Sequence, residues 1–209
     1  MARTLADALG WAEEGTRGFL DAAAGLTEQD YDAPSLLPGW TRRHLVGHVA
    51  ANADALGNLV RWAATGEPTP MYASPEERAA GIERGARLSA AELAAWLERS
   101  AATLRAGMDG LSEERWRAEV LTAQGRAVPA AEIPWMRSRE IFIHAVDLDR
   151  GVTFADLPPA FLDALVADIA AKRGLDAAKL PPGPRAEVAA WLAGRPHTLT
   201  DAPALGPWL

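Results

Sequence analysis

The amino-acid sequence predicts a mainly α-helical protein: a four-helix bundle followed by a short C-terminal α(+β) region. The chain has 209 residues and is 49% hydrophobic, which is enough for one domain with a real core and a small addition to it. Alanine and leucine, both strong helix formers, recur at intervals of three and four residues, which is typical of helices with one buried face. Capping residues, glycines and prolines mark where these helices begin and end.

The first two helices are predicted from the spacing of apolar residues and from the residues that begin and end helices. A stripe of apolar residues predicts a helix over residues 2–25, and a polar loop that contains two prolines follows it. Thr41 is a suitable N-cap for a second helix, which runs to about Thr65 because Gly66 and a proline come next.

Two capping-box sequences open the next helices of the bundle. Ser74 is followed by proline and two glutamates, and Ser89 has a glutamate three residues later. The second of these helices ends near Gly110. A short hairpin is predicted around Gly125, and a further helix over residues 131–149 is apolar almost all round in its second half.

The composition changes after Gly151, where two shorter helices flank the helix-breaking sequence PPGP. Fewer than 60 residues of this kind hold no large core of their own. We therefore predict a bundle over residues 1–152 and a small region, 153–209, that docks on it. Its tail, HTLTDAPALGPWL, is expected to add an edge strand.

Several function classes are excluded by composition. A formal charge of −7 argues against binding to a phosphate backbone, and no apolar run approaches the ~20 residues that span a bilayer. The first residues do not resemble an export signal, so we expect a cytoplasmic protein with no membrane or nucleic-acid partner. Cysteine is absent, so any thiol chemistry would need a sulfur from another molecule.

A glutamate and two histidines are the best candidates for chemistry. Glu140 and His144 are four residues apart and share one face of the late helix, within the apolar sequence REIFIHAVDL. A glutamate buried there must be protonated, paired with a cation or bound to a metal. With His48, on an apolar stripe of an earlier helix, it would complete a two-histidine, one-glutamate set that suits zinc or another divalent metal.

The spacing alone leaves alternatives open. His44 and His48 are also four residues apart, and either could face the late helix. Glu140 could pair with Arg137 instead of a metal. Asp147 could orient a ligand histidine or simply lie near the end of its helix.

Three segments of the chain resemble the mycothiol-dependent maleylpyruvate isomerase family, which belongs to the DinB-like superfamily of metal-binding helical bundles. They are GWTRRHLVGHVAAN, WMRSREIFIHAVDLDRGVTFADLP, and AEVAAWLAGR together with ALGPWL. The resemblance covers almost the whole chain. It implies a DinB-like bundle whose metal ligands are His48, Glu140 and His144, and it implies that Arg195 is the arginine that reaches the catalytic site. The family usually has a longer C-terminal domain, so this region is expected to be abbreviated.

The resemblance also implies an activity and its cofactors, a divalent metal (zinc first) and mycothiol. The thiolate of mycothiol would add to the cis double bond of maleylpyruvate, the bond would rotate, and elimination would give fumarylpyruvate. The partners would be an unsaturated keto acid and a small thiol, with the chain a monomer or a homodimer. Because a gentisate dioxygenase makes maleylpyruvate, the reaction would belong to the gentisate pathway.

Two other functions remain open at this point. A mycothiol S-transferase on the same scaffold would use the same three ligands and join the thiol to an electrophile without returning it. A non-catalytic bundle that binds a small ligand is the other alternative, although an intact ligand set weighs against it.

Overall fold

A computed structural model describes residues 3–206 and 208, and in this part of the chain nine α-helices and one small sheet are present. The predicted mainly α, DinB-like fold is confirmed. By their contacts the residues form two compact units, a larger one over Leu5–Arg150 and a smaller one that contains the chain from Gly151 onward. The elements are α1 (Leu5–Ala23), α2 (Glu28–Asp32), α3 (Arg42–Thr65), α4 (Pro75–Gly85), α5 (Ala90–Asp109), α6 (Glu113–Trp116), β1 (Glu119–Leu121), β2 (Ala127–Pro129), α7 (Ile133–Asp147), α8 (Pro159–Lys172) and α9 (Arg185–Leu192).

Four long helices form the bundle of the larger unit. Helix α1 packs closely on α7, α3 packs on α5, and α3 also contacts α7, whereas α1 and α5 touch only sparsely. Apolar side chains are almost completely buried between these helices, among them those of Leu56, Leu59, Leu104 and Ile133. Burial of each such side chain contributes about 1.5–3 kcal/mol, so interior packing carries most of the stability of the bundle.

Most predicted helix boundaries hold. Helix α3 ends at Gly66, whose φ of 81° is a left-handed conformation that glycine adopts without strain. Ser89 and Glu92 form a complete capping box, but Ser74 only accepts a hydrogen bond from the Glu77 amide. The first helix is shorter than predicted, and residue 2 lies outside the described part of the chain.

The loop between the first two predicted helices contains one more turn of helix than expected. Helix α2 begins after Thr27, whose side chain and amide form a capping box with Asp30. The predicted hairpin is confirmed: β1 and β2 pair antiparallel, and Gly125 in their turn has a φ of 74°.

The smaller unit contains α8 and α9, which pack on each other. The Trp191 Nε1 donates to the Pro203 carbonyl at 2.7 Å, and this bond holds the tail on α9. The prediction of an edge strand in the tail is wrong for the described residues, because none of residues 196–206 or 208 lies in a strand. Pro207 and Leu209 lie outside the described part of the chain. No helix in the described chain has the length and hydropathy that would let it cross a membrane.

A close approach of two glycines joins α4 to α3 and gives the first testable prediction. A Cβ on Gly85 would lie 2.8 Å from the Gly47 Cα, whereas a Cβ on Gly81 would meet nothing closer than 3.8 Å. We expect Gly85→Ala to lower the free energy of unfolding by about 1–3 kcal/mol, because the two helix backbones must separate. Gly81→Ala, the matched control, should raise it by up to about 1 kcal/mol. Urea unfolding measures both, and equal effects would contradict the close contact.

Candidate metal centre

Three side chains converge between α3 and α7 in the larger unit. The His48 Nε2 lies 3.1 Å from the Glu140 Oε2, and the His144 Nε2 lies 3.3 Å from the same oxygen. The ligand atoms of the three residues lie within 4.8 Å of one another. Both histidines are buried, and the side chain of Glu140 is 17% exposed. The set therefore faces inward and keeps one partly open side at the carboxylate.

Hydrogen bonds between the two helices hold this geometry. Arg137 donates through Nη1 to the Val49 carbonyl at 3.0 Å and to the Asn52 Oδ1 at 3.2 Å. The Leu36 amide donates to the Asp147 carbonyl at 2.8 Å, and the Arg42 Nε donates to the Leu148 carbonyl at 2.8 Å. The first two bonds join α7 to α3 within the helices, and the last two join the end of α7 to the first residue of α3 and to the loop before it.

Asp147 fixes the orientation of the His144 ring. Its Oδ2 lies 2.8 Å from the His144 Nδ1, and its side chain is completely buried. An ionised carboxylate can only accept, so we assign the proton of the ring to Nδ1 and the lone pair to Nε2. Of the two alternatives that the sequence left open for Asp147, the structure shows the contact with a candidate ligand.

The pKa values of the three groups move in different directions. Burial lowers the pKa of His48 and outweighs the raising effect of Glu140. Burial also acts to lower the pKa of His144, but its interactions with Asp147 and Glu140 together outweigh burial and leave this pKa raised. Burial would raise the pKa of Glu140, yet the two histidines hold it well below 4.5, so the carboxylate is charged at neutral pH.

The donor set fits a divalent metal on two observations. The buried His144 Nε2 makes no hydrogen bond in the described chain, and with the ring proton on Nδ1 its lone pair faces the Glu140 Oε2 at 3.3 Å, which is costly unless something else uses these lone pairs. Metal bonds of about 2.0–2.1 Å in a tetrahedral site place neighbouring ligand atoms about 3.3 Å apart. The nitrogen-to-oxygen distances of 3.1 and 3.3 Å match this spacing.

Trp40 forms one wall beside the candidate ligands. Its ring meets the His48 ring edge-on at 5.5 Å between centroids, and the His48 and His144 rings are 5.1 Å apart. Burial raises the pKa of Tyr72, and the charge of Glu140 acts in the same direction. An aromatic wall of this kind keeps water away from part of the centre.

The structure decides between the alternatives that spacing left open. The His44 Nδ1 accepts from the Thr41 amide and lies 2.8 Å from its hydroxyl, so His44 caps α3 and is not part of the cluster. Glu140 contacts the two histidines and forms no ion pair with Arg137, whose pKa burial lowers to about 10, which leaves it charged at neutral pH. Sequence reasoning missed Tyr72 because it lies in a loop without periodicity.

Arg195 lies in the smaller unit, just after α9. It is 6% exposed, and its Nη1 donates to the Ala193 carbonyl at 2.8 Å. His197, two residues later, accepts from the Leu199 amide at 3.2 Å and is half-buried.

Two histidines and a glutamate in the core of a four-helix bundle define a DinB-like protein with a candidate metal centre. Residues 12–149 match the family model described as the mycothiol maleylpyruvate isomerase N-terminal domain. The chain belongs to this family.

Two solved structures are similar over nearly the whole chain. One is a crystal structure of the mycothiol-dependent maleylpyruvate isomerase, and the other is of a mutant of it with one histidine replaced by alanine. Each is 38% identical, with a TM-score of 0.87, and the match covers 98% of this chain and 96% of the relative. The match covers almost all of the relative, including its C-terminal part. The prediction that the C-terminal region of this chain is abbreviated is therefore wrong relative to this structure. Comparison with curated proteins gave no match.

Proposed function

We propose that this protein isomerises maleylpyruvate to fumarylpyruvate with mycothiol and a divalent metal as cofactors. The observation that carries the proposal is the likeness to an isomerase of this name over 98% of the chain, together with the inward-facing cluster. His48, Glu140 and His144 are the residues we assign as ligands. Zinc suits two imidazoles and one carboxylate with an open position.

The cofactors supply the chemistry that the chain lacks. Cysteine is absent, and mycothiol would supply a thiolate nucleophile whose reversible addition to the cis double bond would permit rotation. A bound divalent ion supplies Lewis acidity that favours the thiolate at neutral pH.

The residues of the chain position and protect these groups. Asp147 keeps a proton on the His144 Nδ1, which leaves the Nε2 lone pair directed at the cluster. Glu140 adds a negative charge, and Trp40 shields His48 from water. We place the reaction in the gentisate pathway, because ring opening of gentisate produces this substrate.

The decisive experiment follows maleylpyruvate by proton NMR with mycothiol, with S-methylated mycothiol and without thiol. We expect the trans product only with the free thiol, whose concentration stays constant because elimination returns it. Product formed without thiol would overturn the proposed mechanism. Loss of one thiol per substrate would instead identify the S-transferase, and binding of substrate without any conversion would favour the non-catalytic bundle.

Arg195 is proposed to bind a carboxylate of the substrate, because a guanidinium pairs with carboxylates in two-pronged geometry. We expect Arg195→Ala to lower kcat/KM about 10–100-fold, the effect of losing a hydrogen bond to a charged group, while metal content is unchanged. Arg185→Ala, which removes an exposed arginine that pairs with Asp163, is the matched control. Wild-type kinetics for Arg195→Ala in a folded protein would remove this residue from the site.

A further inference from the structure

A cavity lies in the larger unit where α1 and α5 separate. Its volume is about 540 Å³, within the range of small-molecule pockets. Leu9 and Leu20 of α1 line it on one side, and Leu104 and Met108 of α5 line it on the other. The cavity therefore offers an apolar wall that the proposed isomerase reaction does not use.

A buried arginine also lines this cavity. Arg137 is 1% exposed, and its Nη1 is bonded to the Val49 carbonyl and to Asn52. Its Nε and Nη2 are buried and have no hydrogen-bond partner among the described residues. Unsatisfied donors on a buried cation are costly, so an acceptor from outside the chain would be strongly favoured there.

The rim of the cavity limits what the acceptor can be. Arg105 of α5 forms an ion pair with Glu13 of α1 at 2.9 Å and another with Asp109 at 2.8 Å. Its charge is therefore balanced by these two carboxylates. Asp21 and Glu98 add further negative charge at the lining, and the exposed Arg17 adds one positive charge, so the rim has four carboxylates and two guanidinium groups. A second anionic group on a ligand would meet these carboxylates, which disfavours dicarboxylates such as the substrate of the proposed reaction.

We propose that this cavity is a binding site for a monocarboxylate with an apolar chain. The carboxylate pairs with the charge of the Arg137 guanidinium where this residue lines the cavity, and the chain lies along the leucine and methionine wall. None of the three candidate metal ligands lines the cavity, although Arg137 lies one turn before Glu140, and binding there does not require the isomerase activity.

Titration calorimetry with octanoate and 1-octanol on the full chain tests the proposal. The two compounds share an eight-carbon chain, so the carboxylate is the main difference between them. We expect octanoate to bind at one site at least 10-fold more tightly than 1-octanol, the gain of hydrogen bonds to a charged group. Arg137→Met, which keeps the bulk of the side chain, should remove this preference.

Two further variants test whether octanoate binds in this cavity or elsewhere on the protein. Thr16→Trp, which fills the cavity, should abolish binding, whereas Glu14→Trp places the same ring on the exposed face of α1 outside it. Binding must persist in His48→Ala, since octanoate could otherwise be a metal ligand. Equal affinities for octanoate and 1-octanol, or no saturable octanoate binding, would overturn the proposal and assign the Arg137 donors to buried water.

Discussion

Replacing His48 with alanine is expected to abolish metal retention and mycothiol-dependent turnover together. Loss of an outer partner of a metal ligand usually costs 10–100-fold in affinity, and loss of a ligand itself costs more. In His48→Ala, Glu140 would also lose its hydrogen bond to the His48 Nε2, which is 3.1 Å long. We expect less than one tenth of the metal that the wild type holds after dialysis, measured by mass spectrometry, and no detectable trans product.

His44→Ala is the matched control for this experiment. His44 lies one turn earlier on α3, and its substitution removes the same atoms. Its ring, however, contacts Thr41 and caps the N-terminus of the helix. We expect a loss of about 0.5–2 kcal/mol in unfolding free energy and full metal content. Full occupancy in a folded His48→Ala protein, or loss of metal from His44→Ala, would refute the ligand assignment.

The contrast between these two histidines shows what the sequence can predict. Periodicity and caps are local, so the long helices and the complete capping box at Ser89 could be predicted well. Two histidines four residues apart share a helix face, and spacing cannot tell which of them faces the partner helix. The apolar stripe around His48 and the resemblance to the family favoured His48, and the capping role of His44 in the structure supplies the physical reason.

Contacts between distant segments could not be predicted in the same way. Arg43 is 7% exposed and pairs with Glu28 at 2.6 Å and with Asp32 at 2.9 Å, and its Nη1 donates to the Leu88 carbonyl. Nothing in the local sequence indicates that Arg43, in the first turn of α3, joins α2 to the loop just before α5. The unsatisfied donors of Arg137 cannot be predicted from the sequence either, because they depend on how helices from distant parts of the chain pack around α7.

Glu140→Gln is the second substitution with a large expected effect, because it removes a charge and almost no volume. The carboxylate pKa is held well below 4.5 by the two histidines, so the wild-type group is an anion at neutral pH. A neutral amide is a poor ligand for a divalent ion, and its NH₂ group can only donate. We expect metal affinity to fall more than about 100-fold, beyond the usual effect of an outer partner.

Glu140→Asp provides the graded comparison, since it keeps the charge but draws the oxygens back by one methylene. Competition with a metal indicator should rank the affinities as wild type, then Asp, then Gln, and turnover should follow the same order.

The competing interpretation is that Glu140 serves only as an ion-pair partner for the buried histidines. In that case Glu140→Gln would lower the unfolding free energy of the metal-free protein. It would leave the metal affinity unchanged, because the two imidazoles would still bind the metal. Thermal unfolding of the metal-free and metal-loaded forms distinguishes the outcomes: a ligand role requires that added metal raises the Tm of the wild type far more than that of the Gln variant, since stabilisation by a bound ion grows with its affinity.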